Sequence, residues 1–181
     1  MLEGHPPRKL FSELIRRAFY HQLHYYDSDI TAYLTELLVD FTHTDRLYTI
    51  RDASGHRLED VGEMLIESNP LLAAGSFDRE REVRKHSGDC TLFFTGLFPE
   101  SLKRPRRTLR LDYFIDYVKA GKESYGVVSK FDQIEYRQIA PLFRRLSENF
   151  ELCVFGLSCV RDELRRMQDQ YYLHVERTFL Y

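Results

Sequence analysis

Apolar residues recur at three- and four-residue spacings through most of this chain, the pattern of helices that each bury one face. Leu10, Leu14, Ile15, Ala18 and Phe19 predict a first helix ending near His24. Ile30, Leu34, Leu37, Leu38 and Phe41 predict a second, with Ser28 as its cap and Asp29 in an acidic first turn. Residues 47–50 are β-prone and Ala53-Ser54-Gly55 supplies turn chemistry, so at most a minimal hairpin is expected near 46–57. A third helix is expected over 58–68, with Val61, Met64 and Leu65 inward, Glu59, Glu63 and Glu67 in an outer acidic row, and Asn69-Pro70 as its stop.

The stretch RKHSGDCTLFFTGLFPE, Arg84 to Glu100, passes from charge through Gly88 and Asp89 into nine uncharged residues and stops at Pro99. It predicts a fourth helix with Gly88 and Asp89 one turn inside its start. At about 100° per residue, Val83, Ser87, Cys90, Phe94 and Leu97 share one face, and Arg84, Gly88, Thr91 and Thr95 form a second strip of small residues beside it. That strip invites another helix to approach closely, and the expected partner is the last helix, which has Gly156 and Ser158; Gly96 is read as relief of crowding near the proline. A fifth helix is expected over 111–130. The strongest signal follows: Ile139, Phe143, Leu146, Phe150, Cys153, Leu157, Val160, Leu164 and Met167 keep a 4-3-4-3 spacing, a seam of period about 3.5. Leu152 to Val160 carries no charge, so this long C-terminal helix should be buried all round in its middle and central to the fold.

The architecture expected is all-α: one domain over 1–181, a bundle of five or six helices behind a flexible leader at 1–8. Composition agrees, with 43% hydrophobic and 30% charged residues, enough apolar area for a core and too much for a disordered chain. A formal charge of −2 gives no whole-chain attraction to nucleic acid or an anionic membrane. Cys90, Cys153 and Cys159 are odd in number and sit in apolar runs, which favours a reducing cytoplasm over a disulfide framework. No apolar run reaches the roughly 20 residues of a membrane span.

Candidate chemistry is sparse. Asp40-x-x-His43, with Glu36 a turn earlier, has the spacing of a carboxylate–histidine metal pair, but a two-metal bundle needs two such pairs and further carboxylates. A wet acidic face is the better reading, and no metal or cofactor is expected. Lys103, Arg104, Arg106, Arg107 and Arg110 form a basic connector, read as a solvated loop rather than a nucleic-acid interface because no recognition motif accompanies it. Asp89 either pairs with Lys85 in water or lines a polar pocket with Arg84, His86, Lys122 and Tyr125.

The run GDCTLFFTGLFPE, Gly88 to Glu100, resembles a group of uncharacterised bacterial helical proteins that share G-D-x-x-L-F-x-x-G-L-F-P-E, with GKESY and NFELCVFGL as weaker shared pieces. The resemblance implies a helical fold over most of the chain and brings no activity, cofactor or catalytic residue. The function expected is that of a non-enzymatic cytoplasmic protein acting through self-association or a protein partner. The alternative is a bundle, enzymatic or not, that binds a small ligand, cofactor or metal near Arg84, His86 and Asp89.

Overall fold

Helix starts and stops follow local chemistry that the apolar pattern only partly reveals. A computed structural model of the chain describes residues 7–43, 46, 49–52, 54–58, 63, 64, 67, 76–103, 113–133 and 135–180, with the backbone alone at 103, 113, 115, 179 and 180. Among them are seven α-helices: α1 (Pro7–Arg16), α2 (Ser28–Phe41), α3 (Phe77–Leu97), α4 (Tyr113–Val128), α5 (Ala140–Glu148), α6 (Phe150–Met167) and α7 (Gln170–Leu180). The class is all-α as expected; the count exceeds five or six because the C-terminal seam is split and a further helix follows it.

The apolar stripe of α1 continues past its end. Residues Arg17–Gln22 adopt a π-helix, and this wider turn buries Ala18 and Phe19 side by side. His24 then takes a left-handed conformation, φ 52°, which releases the chain toward α2. The cap of α2 is Asp27, one residue earlier than the sequence suggests: its Oδ1 accepts the amides of Asp29 and Ile30, both at 3.1 Å, and Ser28 is already helical. Asp27 wins because Arg145 of α5 also reaches it, donating from Nε at 2.8 Å and from Nη2 to Asp29 at 2.7 Å. One arginine thereby ties α5 to the start of α2.

Where at most a minimal hairpin is expected near 46–57, the described residues form one antiparallel bridge, Arg51 to Arg57, around Gly55, φ +83°. Asp52 Oδ1 accepts the amides of Ser54 and His56 and closes this turn. The expected helix over 58–68 lies mostly outside the described residues. Of its acidic row, Glu63 is exposed but Glu67 is buried, with Arg79 3.5 Å away, so that row is not a uniformly wet face.

The central element is α3 rather than the last helix. Ser76 caps it, accepting the amide of Arg79, and Asp78 and Glu80 suit its positive end. Because it starts at Phe77, Gly88 and Asp89 stand in its middle and not one turn from its start. Nearly every side chain from His86 to Phe98 is buried, the polar ones included. Ser87, Thr91 and Thr95 donate to the carbonyls of Val83, Ser87 and Thr91 at 2.6–2.8 Å, so these hydroxyls meet their own hydrogen-bonding need inside an apolar surround.

The seam expected as one long helix is two. At Asn149 the backbone leaves helical geometry (φ −109°, ψ 24°), and the side chain donates back to the Arg145 carbonyl at 2.9 Å. Hydrogen bonding resumes at once, Cys153 amide to Asn149 carbonyl, so burial stays in register across the break. Phe143, Leu146, Phe150, Cys153, Leu157, Val160 and Leu164 are all buried, while Ile139 and Met167 at the ends are exposed. The middle of α6, however, is not buried all round: Phe155 is 58% exposed. Finally α7 folds back, stacking Tyr172 on Phe98 with ring centroids 5.2 Å apart and burying Val175.

Candidate functional site

Small size at Gly88 sets the geometry of the polar centre. A Cβ there would lie 2.5 and 2.6 Å from ring carbons of Tyr125, so its absence lets α4 press that ring flat against α3. The sequence pattern assigns Gly88 to contact with the last helix; it is Gly96 that meets that helix, its missing Cβ leaving room for Leu157. The close approach carries the Tyr125 hydroxyl to Asp89 Oδ1 at 2.7 Å. From α2, Tyr33 donates to the same oxygen at 2.5 Å. Lys85, one turn earlier on α3, donates to Oδ2 at 2.7 Å with its ammonium 5.3 Å from the Tyr33 ring centre.

Asp89 pairs with Lys85, but in a buried setting rather than in water. Its side chain is only 6% exposed, while Lys85 is 38% exposed and carries the pair toward the surface. Two phenols and an ammonium meet the charge, so the carboxylate is compensated despite its burial. The surrounding rings close the site: Tyr33 meets Tyr125 and Phe143 edge-on, and Tyr125 also packs on Phe150. Burial first, and the Asp89 charge second, push the hydroxyls of Tyr33 and Tyr125 well above the ordinary tyrosine range. Both are held neutral as donors. With both of its oxygens engaged by protein donors, Asp89 reads as a clamp joining α2, α3 and α4.

The other residues expected around Asp89 are dispersed. His86 is buried on another side of α3, its Nε2 3.3 Å from Cys90 Sγ and its ring edge-on to Phe41 of α2. Burial, then the Asp89 charge, pushes the Cys90 thiol well up, so the pair is not an activated nucleophile. Arg84 is half-buried, and its Nε has no hydrogen-bond partner among the described residues. Lys122 leaves the centre altogether and binds Glu151 of α6, at 2.8 and 3.1 Å to the two carboxylate oxygens. Tyr33 is the member that sequence reasoning missed. It sits beside the apolar stripe of α2, and only the neighbouring helices make its hydroxyl matter.

Of the metal-like residues, Glu36 accepts from Arg8 at 2.5 Å, Asp40 pairs with Arg46, and His43 Nδ1 lies 3.2 Å from Thr42 Oγ1. Each has its own surface partner, and no group of three or more metal-ligating side chains is found among the described residues. The basic connector, Lys103 to Arg110, lies outside the described residues apart from the backbone of Lys103.

A second feature was hidden in the sequence. Between α4 and α6, over the end of α3, lies a groove of about 550 Å³. Its walls include Phe114, Val118, Val154 and Phe155, with Phe114 45% and Phe155 58% exposed. Lys119, Glu151 and Arg161 form the rim. Phe155 stands in the charge-free run of α6, where hydropathy alone assigns it to the core; its 58% exposure, with no helix of the described residues packed over it, reveals the groove. No helix among the described residues is long and apolar enough to cross a membrane. Comparison with family models, curated proteins and solved structures found no match for this chain.

Proposed function

We propose that this protein works by reversible binding rather than catalysis, and that the groove between α4 and α6 is its binding element. The observation that carries the reading is the open apolar wall: two phenylalanines left about half exposed beside Val118 and Val154, in a volume that small ligands commonly occupy, roughly 300–1,000 Å³. The Asp89 centre supports the non-catalytic part, because its carboxylate oxygens are engaged by Tyr33, Tyr125 and Lys85. Self-association draws less support, since the seam positions from Phe143 to Leu164 are buried within the chain and Tyr172 stacks on Phe98. On this reading the chain is one helical domain of a reducing, cytoplasmic setting, with Cys90, Cys153 and Cys159 as free thiols.

The test uses an uncharged apolar fluorophore, N-phenyl-1-naphthylamine. Saturable enhancement at one site per chain is expected, weakened strongly in the double variant Phe114→Ser, Phe155→Ser with its thermal transition unchanged. Equal binding by the double variant, or no binding by the native protein, would remove the groove as the working surface.

A further inference from the structure

Resting on that reading, we infer that the groove takes a single-chain amphiphile with a carboxylate head, a free fatty-acid-type anion, and that Lys119 receives the head. Length comes first. The α6 wall runs from Glu151 to Arg161, ten helical steps and hence about 15 Å, and it meets Phe114 and Val118 one turn apart on α4. An extended alkyl chain of medium length fits such a trough better than a compact ring system.

Charge then selects the head. Glu151 is already neutralised by Lys122, whose hydrogen bond is the leading cause that holds the carboxyl below its ordinary value. Arg161 is committed to its neighbour Asp162, with Nε and Nη2 both 3.0 Å from Oδ1. Lys119 is exposed and has no ion-pair partner among the described residues. Among the described residues, the rim therefore carries one uncompensated positive charge beside an apolar wall. A cationic head would be repelled, and a neutral one would gain nothing from the ammonium. A phosphate monoester, at about −1.5 to −2, would bring more charge than one lysine balances, whereas a carboxylate matches it one to one.

The experiment is displacement of N-phenyl-1-naphthylamine by decanoate, decanol and decyltrimethylammonium, each below its micelle concentration. Decanoate should bind about three- to fivefold more tightly than decanol, the worth of one partly screened ion pair, and the cationic amphiphile more weakly than either. Lys119→Gln should bring decanoate to the level of decanol and leave decanol unchanged, and high salt should do the same to the native protein. Decanoate no better than decanol, or a preference that survives Lys119→Gln, would overturn the carboxylate assignment while leaving the groove in place. Loss of fluorophore binding itself would instead strike the reading beneath it. Sedimentation in the same samples covers the remaining occupant: a doubled mass that persists at saturating decanoate would mean a second copy fills the groove, which also overturns the inference.

Discussion

Helix α4 takes part in two regions of opposite character. Through Tyr125 it closes on Asp89, a buried charge whose acceptor oxygens meet Tyr33, Tyr125 and Lys85. Through Phe114 and Val118 it borders an apolar groove left open to water. The usual expectation is that polar side chains face out to do chemistry and apolar ones turn in to hold the fold. Here the polar centre is the structural joint, and the apolar surface is the part left open, where binding is proposed. Substitutions should therefore separate the two regions by what they damage, stability at the joint and ligand affinity at the groove.

The largest stability loss is expected from Asp89→Ala. It removes the acceptor oxygen shared by the buried Tyr125 phenol and the half-buried Tyr33 phenol, and an abandoned buried donor costs about 1–3 kcal/mol. Lys85, being partly exposed, recovers water and adds little. A loss of about 3 kcal/mol in the urea unfolding free energy is expected, with groove binding retained in the folded fraction. A loss under about 1 kcal/mol would show that the joint is not a joint.

Tyr125→Phe comes next, because it deletes a hydrogen bond to a charged acceptor, worth about 1.5 kcal/mol, without abandoning Asp89. The same variant has a pH signature. Burial, and then the Asp89 charge, raises the Tyr125 pKa in the folded state, so the folded protein keeps a proton that the unfolded chain gives up near pH 10. The contribution is complete below that pH and lost as pH climbs toward the folded value, at about 1.4 kcal/mol per pH unit for one proton. Stability against pH above 10 should fall less steeply in Tyr125→Phe than in the native protein; parallel curves would refute the assignment.

Gly88→Ala sets two effects against each other. In a mid-helix position alanine gains about 1 kcal/mol over glycine, but overpacking a filled core costs about 1–3. The new Cβ would stand 2.5 Å from a Tyr125 ring that is wholly buried and pinned by its hydroxyl to Asp89. Overpacking should win by about 1 kcal/mol, and combining Gly88→Ala with Tyr125→Phe should cost less than the sum, because the freed ring can shift.

These residues also mark how far the sequence could be read. Periodicity located the helical stripes, because repeated burial at three and four residues depends on local geometry alone; the buried positions from Phe143 to Leu164 follow it even across Asn149. Helix ends were less legible. Asp27 displaces Ser28 as a cap through Arg145, which lies 118 residues away in the chain, and α3 starts at Phe77, behind a Ser76 cap, with a charged, weakly apolar first half. Around Asp89, Lys85 and Tyr125 are already candidates in the sequence, through i, i+4 spacing and the neighbouring helix, whereas Tyr33 differs from other tyrosines only in what packs beside it. Phe155 misled for the converse reason: hydropathy measures preference for burial, and whether a covering helix exists is decided elsewhere in the chain.

Phe155 therefore supplies the smallest expected stability effect and the sharpest contrast with Asp89. A core phenylalanine cut to a small residue costs about 3–5 kcal/mol, because its burial is lost and a cavity remains. At 58% exposure little burial is lost, no closed cavity can form, and the Ser158 hydroxyl bond to the Phe155 carbonyl is a backbone contact that survives the change. Phe155→Ser should leave the unfolding midpoint within about 0.5 kcal/mol of the native protein while weakening N-phenyl-1-naphthylamine binding. A core-sized stability loss would mean that this wall is already packed in solution, by the chain's own segments or by a second copy, and the groove would cease to be a site.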